Sequence, residues 1–385
     1  MNNSIEAAVR RVTIEATPWS HFDGYGGNSL AVLTVLDFWG SPAYSTAFTV
    51  AVRRICYMPN LKSLTYEPPA TRERALEIIS QTLEVRRLHP NTSIIRELVL
   101  YGLEDTPLST HVTDNLFRNI ERLHIKVAYS DEQRERPQFA RYLSGTLLPL
   151  VSDRLVELTL AGHLWGAIPV EFNGKSLSFP LLKSLTLDDY VVLRQDQFDW
   201  VLGQRSLSSL RLYNCRIATH CLVDESDFED WSVNLNGWKK TFDTPIDMDQ
   251  SNHGFMSTPY LESLQPGWYT NDLRWSNLFD RVRENLPELH NFTFERVGWA
   301  SYFEGSPDVI GLDELFERYL TFYDGYWDTA WYKPVTENGV WTEIGWVKDD
   351  SVPGCAAGLD TRTEPADRQA LEKLMEVTRK RREGK

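Results

Sequence analysis

One short pattern, apolar-x-x-apolar-x-apolar, recurs along this chain with leucine dominant. It reads Ile95-Leu98-Leu100, Ile120-Leu123-Ile125, Leu155-Leu158-Leu160, Leu182-Leu185-Leu187 and Leu207-Leu210-Leu212. Weaker copies are Val9-Val12-Ile14, Leu61-Leu64-Tyr66 and Leu289-Phe292-Phe294. Alternate residues of a strand share a face, so the second and third apolar positions of each copy point the same way. The first turns inward from the loop ahead of the strand. A single copy cannot bury three such side chains, whereas parallel copies stacked side by side bury a continuous column.

Each copy then needs a segment that returns the chain to the start of the next. Ala70–Leu88 predicts a helix, with Ala75, Leu76, Ile79 and Leu83 at helical spacing on one side. Shorter returns are expected at Leu108–Arg118, Gln138–Leu148 and Asp196–Gly203, and a fuller one at Asp272–Asn285. The first apolar positions from Leu61 to Leu207 are spaced 34, 25, 35, 27 and 25 residues apart. The shorter intervals suit a leucine-rich repeat, and the longer ones need fuller helices or insertions. A doubly wound sheet would also alternate strands and helices. Its strands, covered on both faces, would be almost continuously apolar. Here Glu157, Thr159, Ser184, Thr186, Ser209 and Arg211 interrupt them. The expected fold is therefore α/β: a leucine-rich-repeat solenoid with its parallel sheet on the concave side, helices on the convex side and an irregular C-terminal cap.

The solenoid is expected over 1–322 and the cap over 323–385. A polar, acidic, turn-rich stretch at about 213–272 reads as a long inserted loop. After Phe294 the expectations are a helix at Leu312–Tyr323, a hairpin formed by Trp327–Tyr332 and Val340–Val347, and a terminal helix over Pro365–Arg382.

The blocks LVELTLAGHLWG and FPLLKSLTLDDYVV, the stretch SLSSLRLYNCRIA and the tail DRQALEKLMEVTRKRR resemble the F-box/leucine-rich-repeat proteins of filamentous fungi. The likeness covers the repeat region and the tail. It implies repeats that hold target proteins and an F-box that docks on a cullin-type ubiquitin ligase. The F-box itself is not found: no Leu-Pro dipeptide that would open it occurs before Leu148-Pro149. A cullin-ligase adaptor is thus an expected partner only through an F-box upstream.

Composition narrows the function classes. The 385 residues carry 40 Lys+Arg against 54 Asp+Glu, a formal charge of −14, which argues against nucleic acid or an anionic membrane surface as partner. No apolar run is long enough to span a bilayer, and no secretory signal is evident, so a cytoplasmic or nuclear location is expected. The four cysteines, Cys56, Cys215, Cys221 and Cys355, have neither zinc-knuckle nor CxxC spacing and read as small reduced hydrophobes.

No catalytic, cofactor or metal site is expected. Gly24–Gly27 lacks the residues of a phosphate cradle. Asp247, Asp249 and Ser251 begin like a calcium loop, but Asn252 and Thr258 stand where its glycine and glutamate belong. The alternative to a binding scaffold is an enzyme or inhibitor-like module with chemistry in the 213–288 insertion, around His220, Asp227 and His253. Arg379–Arg382 reads equally as an import signal or as cations suited to a helix C-terminus.

What remains is the polar face of the sheet, expected to hold a protein partner. Its candidate contact residues are Arg122, His124, Glu157, Thr159, Ser184, Thr186, Ser209 and Arg211 on the strands. His163, Trp165, Tyr190 and Tyr213 lie just beyond them. Arginine and aromatic side chains commonly anchor protein interfaces. For Trp165 and Tyr190 the competing reading is that they merely pack the ascending loops.

Overall fold

The computed structural model describes residues 8–15, 42–67, 73–127, 137–166, 171–224, 234, 236–242, 266–297, 309–311, 318–323, 332–334, 341–343 and 356–384. The chain is α/β, built on a mostly parallel sheet of eight strands with helices between them. The strands are β1 (Arg11–Glu15), β2 (Ser63–Glu67), β3 (Glu97–Leu103), β4 (Arg122–Val127), β5 (Glu157–Trp165), β6 (Ser184–Val192), β7 (Ser209–Tyr213) and, after three strands that branch away, β11 (Asn291–Val297). They lie side by side in chain order, and each pairs in parallel with the next.

The register follows the repeated pattern. Val12, Leu64, Leu98, Leu123, Leu158, Leu185, Leu210 and Phe292 form one row across the sheet. Ile14, Tyr66, Leu100, Ile125, Leu160, Leu187, Leu212 and Phe294 form the next. From β2 to β11 every member of both rows is buried, while Val12 and Ile14 on the edge strand are only partly covered. The pre-strand residues Leu61, Ile95, Ile120, Leu155, Leu182, Leu207 and Leu289 complete the column and are buried too. Each such side chain contributes about 1.5–3 kcal/mol of burial.

The return segments cover this apolar face. They comprise α1 (Pro42–Arg53), α2 (Glu73–Leu88), α3 (Thr110–Phe117), α4 (Pro137–Tyr142) with a π turn at Leu143–Leu147 and α5 (Leu148–Val151), then α6 (Asp199–Leu202) and α7 (Trp275–Asn285). Leu76, Ile79 and Leu83 of α2, Val112 and Leu116 of α3, Val201 of α6 and Leu278, Phe279 and Val282 of α7 join one apolar cluster with the strand rows. The buried Arg86 of α2 holds the loops between its neighbours. Its guanidinium donates to the carbonyls of Ile55 (2.8 Å), Ser93 (3.1 Å), Pro59 (3.4 Å) and Leu61 (3.4 Å).

Three expectations need correction. The stretch at 213–272 is not simply a loop: it contains β8 (Arg216–Asp224), β9 (Trp238–Phe242) and β10 (Pro266–Asn271). The second half of β6 leaves the main row and pairs Val191 and Val192 with Arg216 and Ile217 of β8, which opens a side branch. There β8 pairs antiparallel with β10, and β10 with β9. Secondly, the end of the expected helix at Leu312–Tyr323 is a strand, β13 (Tyr319–Tyr323), parallel to β8. Its aromatic, β-branched sequence YLTFY suits a ladder, and the free edge of β8 supplies one. Thirdly, the terminal helix α8 (Ala356–Arg382) starts well before Pro365 and runs through it. Between these, β12 (Val309–Gly311) pairs antiparallel with β11, and β14 (Tyr332–Pro334) with β15 (Trp341–Glu343), inside the stretch expected to hold a hairpin.

Candidate interaction face

Strand alternation turns the residues between the buried rows to the opposite side of the sheet. Three polar rows result. The first contains Arg11, Ser63, Glu97, Arg122, Glu157, Ser184, Ser209 and Asn291. The second contains Thr13, Thr65, Val99, His124, Thr159, Thr186, Arg211 and Thr293. On the central strands the third contains Lys126, Ala161, Asp188, Tyr213 and Glu295.

Neighbours along these rows bond across the strands. Arg11 reaches past Ser63 to Glu97 at 3.1 Å, and Ser63 between them is buried. Arg122 meets Glu157 at 3.7 Å. His124 Nδ1 and the Thr159 hydroxyl lie 2.8 Å apart, and Asn291 donates to the Ser209 hydroxyl at 3.1 Å. Burial holds the His124 imidazole below its ordinary pKa, against the pull of Glu157 and Glu97.

The sequence-predicted contact residues separate into groups. Arg122 is exposed, and His124, Glu157, Ser184, Ser209 and Arg211 are half-buried on this face. Thr159 and Thr186 share the face but are buried, since short side chains sink between longer neighbours. Tyr213 is also largely covered, and burial raises its phenol. Tyr190 does not belong at a rim: it is wholly buried. Trp165 packs on it with ring centroids 4.6 Å apart and donates its indole N–H to the Asp188 carbonyl at 2.7 Å. The following loop adds Phe172, 5.6 Å from Trp165 and 5.5 Å from Trp200. Gly166, at φ +90°, sits so close to Tyr190 that a Cβ would fall 2.1 Å from its ring. Trp165 and Tyr190 thus pack the loop, Tyr190 wholly buried and Trp165 half-buried. The side chain of His163 lies outside the described residues.

A polar cluster that the sequence reading passed over lies at the C-terminal ends of the strands. Asp188 is 8 % exposed and accepts a hydrogen bond from the Asn214 amide at 2.8 Å. Burial pushes its carboxyl up to about 6, although Asn214 and Lys126 pull the other way. Burial correspondingly lowers the Lys126 ammonium, against the pull of Asp188 and Asp189. Asp189 (φ 56°) and Asn214 (φ 49°) adopt the left-handed conformation, which their short polar side chains tolerate. The signal for this cluster was present in the paired aspartates after LTL and in the Asn of LYNC.

Among the described residues no group of three or more His, Cys, Asp or Glu is placed to hold a metal ion, and no helix is long and apolar enough to cross a membrane. Asp227 and His253, the Gly24–Gly27 cluster and the Asp247–Thr258 stretch lie outside the described residues, as does the side chain of His220. Cys56 and Cys215 are buried free thiols.

Fold and face together define an α/β protein with a polar, partly open parallel sheet. No protein-family model matches the chain, and comparison with curated proteins finds no match.

Proposed function

We propose that this chain is a leucine-rich-repeat-like solenoid acting as a non-enzymatic scaffold that holds a protein partner on the polar face of its sheet. The observation that carries the reading is the one-sided sheet: eight parallel strands in chain order, apolar residues and helices on one side, polar side chains on the other. A doubly wound sheet reverses its strand order at a switch point, and this one does not. The buried Cys215 thiol donates to the Leu187 carbonyl at 3.4 Å, a link between successive copies where a leucine-rich repeat places its Asn/Cys turn. The resemblance to F-box proteins extends the proposal: the scaffold serves as the target-recognition region of an F-box-type ubiquitin ligase subunit.

The test is affinity purification of the tagged protein beside the variant Arg122→Glu/Ser209→Glu, both positions being solvent-accessible on the polar face. Arg122 stands in register between Glu97 and Glu157, so thermal melting of the variant checks that the added carboxylates leave it folded. The native chain should retain a defined partner, together with cullin-ligase adaptor subunits, and the variant should lose the partner. Equal recovery by both proteins would remove the face as the binding surface. Reproducible absence of adaptor subunits would remove the ligase role.

A further inference from the structure

The polar face carries three arginines on its strands: Arg11, Arg122 and Arg211. The first two have carboxylate partners on the same face, Glu97 and Glu157. Arg211 differs. Among the described residues it has neither an ion pair nor a hydrogen bond, although it is half-buried on the second-to-last strand of the parallel row. In register beside it stand Thr186 on one side and Thr293 on the other. Their hydroxyls also make no hydrogen bond among the described residues. Tyr213 follows on the same face, and its phenol feels the Arg211 charge.

With no carboxylate partner among the described residues, this half-buried guanidinium keeps N–H donors open to a bound anion. The surroundings select the anion. Asp188 and Glu295 occupy the next row on the strands either side of β7, so among the described residues Arg211 is its own row's one arginine or lysine, bordered by acids. A doubly charged phosphate would meet their repulsion with one cation to offset it. A carboxylate matches the charge, and its two oxygens match the parallel N–H donors of the guanidinium. The Thr293 hydroxyl, half-buried on one flank, is a further donor, while Thr186 on the other flank is buried.

We infer that Arg211 anchors an aspartate or glutamate side chain of the protein partner, with the half-buried Thr293 as a flanking donor. This rests on the proposal that the polar face binds protein, and it names the chemistry of the contact.

The experiment selects phage-displayed random peptides on the intact protein, then measures the selected peptides on Arg211→Glu, Arg211→Gln and Ser209→Trp, each checked by thermal melting. The native chain should enrich peptides with a shared Asp or Glu. Their affinity should fall about tenfold on Arg211→Gln and further on Arg211→Glu, matching the loss of one charge-assisted pair. Selection on Arg211→Glu should turn to Lys- or Arg-bearing peptides. Peptides blocked by Ser209→Trp but indifferent to both Arg211 variants, or lacking any shared acid, would overturn this inference and leave the binding face standing. If no peptide is enriched, or binding survives Ser209→Trp, the binding face falls and the inference with it.

Discussion

Asp188 shows how much a single position on this sheet depends on its surroundings. In an exposed strand its carboxyl would titrate near 3.8, but burial moves it to about 6. The folded protein therefore takes up this proton more readily than the unfolded chain. The resulting stabilisation is complete below about pH 4 and is lost as pH rises through about 6. Asp188→Asn keeps an acceptor for the Asn214 amide and has no charge to bury. It should be more stable than the native protein at pH 7 by about 3 kcal/mol, with the difference vanishing near pH 4. Urea unfolding at several pH values measures this. A difference that does not change with pH would show that the carboxylate is ionised without penalty.

At the scale of elements, the terminal helix is fastened to α7 at both ends. The side chain of Arg274, ahead of α7, caps none of the first-turn amides, although its backbone N–H donates to Asn277 Oδ1 at 3.1 Å. Instead the Ser276 N–H donates to Asp367 Oδ1 of α8 at 2.7 Å, and the Tyr319 hydroxyl donates to the other oxygen of that carboxylate. The Trp275 N–H donates in turn to the Tyr319 oxygen at 2.9 Å. At the far end of α7, Arg381 donates to the carbonyls of Leu286 (2.7 Å), Leu289 (3.2 Å) and Arg283 (3.2 Å). An acid at the N-terminus and a cation at the C-terminus both complement the dipole of α7. Between them Ala370, Leu371, Leu374 and Thr378 are buried. One arginine of the Arg379–Arg382 run is thus engaged within the fold. Asp367→Ala and Arg381→Ala should each cost about 1–3 kcal/mol, and in both variants the amides of α8 should exchange hydrogen before those of the sheet. Simultaneous loss of protection in helix and sheet would mean that α8 is no separable unit.

For the whole molecule, the continuous apolar column makes neighbouring strands depend on one another. Leu158 is wholly buried in the middle of the sheet, with Leu123 and Leu185 beside it in register. Leu158→Ala should cost about 2–5 kcal/mol, while Val12→Ala on the partly covered edge strand should cost under half as much. Denaturant titrations of the two variants compare them directly. Equal losses would mean that the edge is as tightly packed as the centre.

Much of this architecture was legible beforehand because a strand exposes its facing in its spacing. Even the weak copies at Val12-Ile14 and Phe292-Phe294 took their places at the two ends of the parallel row. The helices at Glu73–Leu88, Thr110–Phe117 and Trp275–Asn285 fell where the returns were expected. The branch formed by β8, β9, β10 and β13 was not legible, because its partners come from distant segments and its turn-rich sequence carries no period. On the candidate face, the pattern gives the side of the sheet on which Arg122, Glu157 and Arg211 stand but carries no measure of exposure. Thr159 and Thr186 sink between longer side chains, and Tyr190 turns under Trp165.

The order of residues by itself determined which side chains face inward and where each strand begins, since both follow from local alternation and spacing. Only the assembled structure decided which polar groups became charged partners, which were buried, and that Arg211 has no counter-ion among the described residues. Those outcomes depend on what stands across the neighbouring strand, and solvent exposure and Coulomb attraction act through space, not along the chain.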